Sequence, residues 1–357
     1  MPTTAARAIA SPWAGFDGHE RVVVAEQAGV RMVIALHSTV LGPALGGTRM
    51  SLYEGTDDAG SAAYADALRL SRAMTYKNAL AGLDHGGGKG VIIADPDAKS
   101  ADVLRAYGRL VDSLDGSYVT AGDVGMTVRD MDVIGETCPW TTGRSPENGG
   151  VGDSGILTAF GVFEGLRASA STVWGTGGLA GKRVGVIGAG KVGGRVIDHL
   201  VDAGAEVTAV DPSPAARTAV LEAHPDVRFV GSVDDLLATN PEVLSPNALG
   251  GLLTPDLVPR ISARLICGGA NNQLATPEVA DQLAERGIVY APDFLVNCGG
   301  VIQVAEELVG CDMARARART AKVYETTLRV LERAAAQGIT PVAAAEREAE
   351  DRIAAQR

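Results

Sequence analysis

The stretch Arg183-Val-Gly-Val-Ile-Gly-Ala-Gly-Lys-Val-Gly193 decides how this 357-residue chain is read. Val184 to Ile187 has the character of a buried strand, three glycines follow in G-x-G-x-x-G spacing, and an amphipathic helix begins at Gly193. Gly188 permits a tight turn, Gly190 lets a pyrophosphate approach the backbone, and Gly193 lets helix and strand pack closely. The helix N-terminus presents N–H donors and partial positive charge to phosphates, so the intervening Ala189, Lys191 and Val192 belong to the same cofactor site. A second strand, Glu206-Val-Thr-Ala-Val210, ends at Asp211, 23 positions after Gly188. An acid there accepts hydrogen bonds from the adenosine ribose and disfavours a 2′-phosphate, which points to NAD. Glycine-rich turns are common; it is the β-α-β context that makes this a dinucleotide site.

Upstream, two lysines twelve residues apart stand in Met74-Thr-Tyr-Lys-Asn78 and Gly86-Gly-Gly-Lys-Gly90. Lys77 and Lys89 are flanked by glycine, small or apolar residues, where an ammonium is costly unless a partner charge or a lowered pKa relieves it. Gly86–Gly90 is no phosphate loop of the Walker type, because Leu83 and Gly90 occupy positions where that motif needs Gly and Ser or Thr. Before the lysines, Gly42-Pro-Ala-Leu-Gly-Gly-Thr-Arg49 is a glycine turn whose backbone N–H groups can hold a carboxylate, and after them Thr120-Ala-Gly-Asp-Val-Gly125 offers one acid among small residues. Taken singly, Lys77 reads equally well as a snorkelling surface lysine and Asp123 as a turn residue or cap. Their conjunction supplies a carboxylate anchor, a base and a proton-transfer acid.

That ordered set, from about Gly18 to about Gly310, resembles the leucine/valine/phenylalanine branch of the amino acid dehydrogenases. The resemblance implies that Lys77, with the Gly46–Gly47 backbone, binds the substrate α-carboxylate. It implies that Lys89 is the base, kept neutral by burial and by Lys77, and that Asp123 shuttles protons. It further implies a nicotinamide contact at Thr158 and a residue between cofactor and substrate at Asn272, with Asn271 the weaker candidate. Leu45 stands where glutamate-specific relatives carry a lysine, and Ala121, Leu295, Cys298 and Val301 complete an apolar side-chain pocket by the same resemblance. Cys298 departs from the usual Ala in Asn-Ala-Gly-Gly. Ile34-Ala-Leu-His-Ser38 and Thr142 to Gly150 most resemble the valine dehydrogenases, with phenylalanine as the alternative substrate. The implied reaction is reversible NAD-dependent oxidative deamination, with domain closure excluding water from the hydride step.

The rest of the chain fits an α/β protein of two domains around a cleft, an N-terminal substrate domain and a Rossmann-type NAD-binding domain. Strands are expected at Arg21–Ala25 and Met32–Leu36, pairing antiparallel, at Val91–Ala94 and at Tyr118–Thr120, with helices at 59–75 and 101–114. Lys89 and Asp123 then fall at strand–loop junctions. The Gly- and Pro-rich stretch Thr141 to Asp153 reads as a hinge. The expected domains are 1–140, with helices from about 330 to 357 packing back on it by family resemblance, and 141–329. Residues 1–17 are small and polar and are expected to fray.

Net charge is −11 with no long basic run, which argues against nucleic acid or an anionic membrane as partner. Aromatics make up only 4% against 45 glycines, which suits close backbone packing of aliphatic layers. Cys138, Cys267, Cys298 and Cys311 and the five histidines are scattered without metal-ligand spacing, so no metal site or disulfide framework is expected. The N-terminus lacks a signal pattern and no apolar run reaches membrane-spanning length, so a cytoplasmic location is expected. The expected partners are an amino acid or 2-oxo acid, ammonium, and further copies of the chain in a homo-oligomer. Two rivals stand beside this reading: a hydroxy-acid dehydrogenase, which leaves the two lysines unexplained, and a non-catalytic NAD sensor.

Overall fold

The computed structural model describes residues 18–56 and 58–356, so the expectation for residues 1–17 lies outside the described residues. The chain divides into two compact units. Unit 1 takes the chain up to Asp153, with Gln303–Met313 and the stretch from Glu350 onward; unit 2 takes Ser154–Ile302 and Ala314–Ala349.

Unit 1 runs β1 (Arg21–Gln27), β2 (Val30–Ser38), β3 (Ala44–Ser51), α1 (Ala59–Leu80), β4 (Gly86–Ile93), α2 (Ala101–Asp112), β5 (Tyr118–Gly122) and α3 (Val128–Gly135). β1 and β2 form the expected antiparallel pair. Ala28 and Gly29 both have positive φ, 51° and 74°, as a two-residue hairpin requires. The sheet order is β1-β2-β4-β3-β5, with β2 antiparallel to β4 and β3 parallel to both β4 and β5. Alternation along the strands splits the core into two layers. Val33, Ala35 and Val91 pack with Ala63 and Ala67 of α1, while Met32, Ile34, Leu36 and Ile92 pack with Leu104, Tyr107 and Leu110 of α2 and Ile134 of α3.

Two differences in element bounds bear on the site. Helix α1 continues through Lys77 to Leu80. More consequentially, Gly86–Gly90 is the first half of a single strand, so Lys89 lies within β4 and not at its edge. The reason is crowding from both sides. A Cβ on Gly87 would overlap the backbone of Thr75 in α1, one on Gly88 would lie 2.7 Å from the Tyr118 ring, and one on Gly90 would overlap the Tyr107 hydroxyl. Only glycine lets helix and tyrosines approach a strand this closely.

Unit 2 runs α4 (Gly155–Trp174), β6 (Arg183–Ile187), α5 (Gly193–Asp202), β7 (Glu206–Val210), α6 (Pro214–Ala223), β8 (Arg228–Phe229), α7 (Val233–Ala238), β9 (Val243–Pro246), β10 (Leu265–Ile266), α8 (Glu278–Glu285), β11 (Val289–Tyr290) and α9 (Asp293–Val296). α10 (Gly299–Glu306), α11 (Met313–Ala321), α12 (Val323–Gln337) and α13 (Pro341–Ala354) follow, and α12 ends at Gly338, φ 62°. All strand pairs of the order β11-β10-β9-β6-β7-β8 are parallel. This is the doubly wound dinucleotide order, in which the winding reverses between β6 and β9 and leaves a ligand crevice at their carboxyl ends.

The division of the chain follows local ties. The Glu307 carboxylate accepts the N–H groups of Gly143 (2.9 Å) and Val151 (3.0 Å), and Gln303 Nε2 donates to the carbonyls of Val151 (3.2 Å) and Asp153 (3.1 Å). These bonds keep residues 143–153 with unit 1, later than a boundary at 140. Of the tail, only Glu350 onward joins unit 1, where Tyr76 donates to Glu350 (3.1 Å) and Arg352 to the Ala79 carbonyl (2.6 Å). Helix α12 packs on α4 in unit 2 and buries Val323, Thr327, Val330 and Leu331. No helix among the described residues is long and apolar enough to cross a membrane.

Candidate active site

The chemistry-bearing residues of unit 1 converge on the parallel strands β4, β3 and β5. Lys89 is buried, 5% exposed, and its Nζ donates to Asp123 Oδ2 at 2.5 Å. Asp123 immediately follows β5, and its N–H is fixed on the Thr48 carbonyl (3.0 Å). Strand β3 runs between the two strands, and Gly47 clears the way: a Cβ there would stand 2.9 Å from Asp123 Cβ. Gly46 is equally constrained, since a Cβ would overlap the Gly88 carbonyl. Burial pushes the Asp123 carboxyl up, but the Lys89 ammonium and the Arg49 guanidinium outweigh it and hold it down at about 2. The charge facing Lys89 is thus a carboxylate. Lys89 Nζ and Asp123 Oδ2 stand within salt-bridge distance, so Asp123 is the charged group that meets the buried lysine.

Two residues absent from the sequence reading complete the arrangement. Arg49 Nε reaches the same Asp123 Oδ2 at 3.3 Å, and its Nη1 reaches Asp66 Oδ2 at 2.8 Å. Asn78 Nδ2 donates to the carbonyls of Leu45 (3.0 Å) and Gly86 (2.6 Å), locking α1 onto β3 and β4. Arg49 closes the glycine turn and Asn78 follows Lys77, but nothing local in the sequence marks their partners. Lys77 lies in the last turn of α1, half-buried. Ala121 is buried in β5 two residues before Asp123, and Leu45 is buried in β3.

In unit 2 the three glycines differ in what surrounds them. Gly188 has φ 91°, and a Cβ would lie 2.8 Å from the Ala248 backbone nitrogen; a Cβ on Gly193 would overlap the Gly188 carbonyl; Gly190 has nothing within 4 Å of its Cβ position. That open space is what a pyrophosphate needs. No side chain caps the N-terminus of α5, so its first N–H groups are not taken by a cap. Asp211 follows β7 as expected, and it also holds the loop: Oδ2 accepts the N–H of Ala189 (2.7 Å) and Oδ1 that of Ser213 (2.7 Å). Lys191 and Val192 lie between Gly190 and α5. The residues present fit a dinucleotide.

Nearby, the Thr158 hydroxyl donates to the Ser154 carbonyl (2.9 Å) and lies against Gly300, whose Cβ would be 2.6 Å from it. Asn272 is exposed with φ 53°, whereas Asn271 is anchored by Asn297 Nδ2 (2.7 Å). Asn247, at the carboxyl end of β9, accepts the Gly269 N–H (2.8 Å) and donates to the Ser245 carbonyl (2.9 Å), which couples the two loops after β9 and β10. Leu295 and Cys298 have no exposed surface, and Val301 is half-buried in α10. Among the described residues no cluster of His, Cys, Asp or Glu is disposed to hold a metal, and all four cysteines are free.

Comparison with known proteins agrees with this geometry. Residues 19–140 match the family model described as Glu/Leu/Phe/Val dehydrogenase, dimerisation domain, and residues 214–356 that of glutamate/leucine/phenylalanine/valine dehydrogenase. Residues 166–245 also match the NAD-binding domain of the D-isomer-specific 2-hydroxyacid dehydrogenases, a match that stays within the nucleotide-binding unit. A valine dehydrogenase of Streptomyces virginiae is 53% identical over 340 residues, 94% of each chain. A leucine dehydrogenase of Bacillus subtilis is 44% identical over 329 residues, 92% of this chain and 89% of that one. The crystal structure of L-tryptophan dehydrogenase from Nostoc punctiforme superposes with a TM-score of 0.81 at 37% identity, covering 95% and 97% of the two chains. With a lysine–aspartate pair on one unit, a dinucleotide loop on the other and family matches across both, this chain belongs to the glutamate/leucine/phenylalanine/valine dehydrogenases and is an oxidoreductase acting on amino acids.

Proposed function

We propose that the protein catalyses the reversible, NAD-dependent oxidative deamination of a branched-chain aliphatic L-amino acid, valine, leucine or isoleucine, to the 2-oxo acid and ammonium. The carrying observation is the buried Lys89–Asp123 contact at 2.5 Å, in a chain similar throughout to valine and leucine dehydrogenases. Lys77 and the Gly46–Gly47 backbone bind the α-carboxylate. NAD, held at Gly188, Gly190, Gly193 and Asp211 with Thr158 and Asn272 towards its nicotinamide, supplies the hydride acceptor. Lys89 is the base and takes a proton from the water that attacks the substrate iminium carbon. Asp123, about a fifth exposed, then passes a proton to the departing amine nitrogen. A carboxylate held at about 2 keeps a proton only briefly, which suits a shuttle better than a store.

By the family resemblance, side-chain choice rests on Leu45 and Ala121 of unit 1 and on Leu295, Cys298 and Val301 of unit 2, none of which carries a charge. A glutamate carboxylate left unpaired there loses about 10²-fold or more in kcat/KM. Initial rates with valine, leucine, phenylalanine and glutamate, measured side by side at alkaline pH, test the reading; glutamate as best substrate overturns the pocket, and phenylalanine as best resizes it. The family description of residues 19–140 as a dimerisation domain supports assembly into a homo-oligomer. Four free thiols suit a reducing compartment such as the cytoplasm.

A further inference from the structure

Asp123 Oδ2 is shared. It receives Lys89 Nζ at 2.5 Å and Arg49 Nε at 3.3 Å. Arg49 is fixed in turn: its Nη1 meets Asp66 Oδ2 at 2.8 Å, the Tyr53 hydroxyl donates to that same Asp66 oxygen at 2.7 Å, and Arg69 Nη2 holds Asp66 Oδ1 at 2.7 Å. The result is a row of alternating charge, Arg69, Asp66, Arg49, Asp123, Lys89, drawn from α1, β3, the end of β5 and β4. Its inner end is buried, with the Lys89 side chain 6% exposed, and its outer end is in water, with Arg69 57% exposed. Tyr53 takes part from a backbone with φ 56°, a conformation non-glycine residues avoid, and the hydroxyl bond to Asp66 fits a residue held there by its contacts.

We propose that Arg49 is a positioning residue for the Lys89–Asp123 pair: backed by Asp66, it clamps the carboxylate oxygen that Lys89 also holds and lowers the hold of that carboxylate on the lysine proton. This rests on the reading of Lys89 and Asp123 as the base and shuttle. Without the guanidinium, Asp123 faces Lys89 alone, the carboxylate is free to rotate, and the pair keeps its proton to higher pH. The groups facing Arg49 are Asp123, Asp66 and Tyr53. Burial, then the bond to Asp66, pushes the Tyr53 phenol up, so it acts here as a neutral donor. The sign of the electrostatic effect therefore follows from Arg49 itself.

The test is the pH profile of kcat/KM for L-valine at saturating NAD, using the full chain. Arg49→Met should lower kcat at least about tenfold and move the acidic limb up by about one pH unit, the effect of one charge across a partly solvated site. Arg49→Lys keeps the charge and should bring the limb most of the way back while recovering only part of kcat, because one ammonium cannot bridge both carboxylates. Asp66→Asn leaves Arg49 in place and removes a negative charge, so its limb should move the other way, down by a few tenths of a unit; this variant keeps the inference testable where Arg49→Met fails to fold. An acidic limb that stays at the wild-type pH in Arg49→Met, or in Asp66→Asn where that is the variant measured, overturns it. Asp123→Asn separates the two layers. If it turns over at the wild-type rate, the reading of the pair itself falls; if it loses turnover while Arg49→Met keeps the wild-type limb, only the role of Arg49 falls.

Discussion

Replacing Gly193 by Ala should impair cofactor binding while leaving the Lys89–Asp123 pair untouched. A Cβ at this position overlaps the Gly188 carbonyl oxygen and stands 2.9 Å from the carbonyl carbon and 3.1 Å from Asn247 Cβ. Carbon atoms rest at about 3.5 Å or more. The nearest obstacles are backbone, so the first turn of α5 must retreat from the Gly188 turn by roughly 1 Å. That turn offers its N–H groups to the pyrophosphate, and a misplacement of about 1 Å costs up to about 10²-fold. We expect the Kd for NADH to rise about 10- to 100-fold, about 1.4–2.8 kcal/mol, together with a lower Tm. Gly190→Ala is the informative companion. Its Cβ meets nothing within 4 Å, so the melting temperature should stay near wild type, yet the methyl fills the space the pyrophosphate needs and NADH affinity should fall comparably. Fluorescence titration with NADH and thermal melts on the same preparations give both quantities. Wild-type affinity in Gly190→Ala would show that the pyrophosphate does not lie over this loop, and the assignment of the glycine run would fail.

Lys89→Ala should lower kcat by about 10²–10⁴ with NADH binding unchanged; near-wild-type turnover at saturating substrate would remove Lys89 as the base. Asp123, ordinarily near 3.8 and held here at about 2, contributes about 2 kcal/mol of stability. Because its folded value is depressed, that contribution is complete above about pH 4 and is lost as the pH falls towards 2. The gap in unfolding free energy between wild type and Asp123→Asn should therefore shrink between pH 5 and pH 2, and a constant gap counts against the ion pair. Gly90→Ala should destabilise unit 1 by about 1–3 kcal/mol by driving a methyl into the Tyr107 hydroxyl. Adding Tyr107→Phe should recover part of that loss in denaturant melts, and strictly additive losses would place the clash elsewhere.

The sequence by itself determined what local spacing can encode. Val184–Ile187, the three glycines and Asp211 lie within one β-α-β unit, and the closest approach at Gly193 is to Gly188, five positions back, so this motif was legible before any fold was known, although Ala248 and Asn247 also crowd Gly188 and Gly193. The order Lys77, Lys89, Asp123 was likewise legible because each sits in a short, distinctive run. Tertiary structure alone decided that Gly86–Gly90 is a strand, since what forces glycine there is Thr75 of α1 and the rings of Tyr107 and Tyr118, none of them adjacent in sequence. It decided the partner of Lys89: the charge that reaches its Nζ comes from Asp123, 34 positions away, across a strand thinned to Gly46–Gly47. It brought in Arg49, 74 positions from Asp123, whose contact depends on the β3–β5 register. It also divided the tail at Glu350, because helix α12 finds its apolar partner in α4 whereas Arg352 donates to the carbonyls in the last turn of α1. Periodicity and spacing report the forces within a segment; which charge neutralises a buried ammonium is a matter of what the packed sheet brings within a few ångströms.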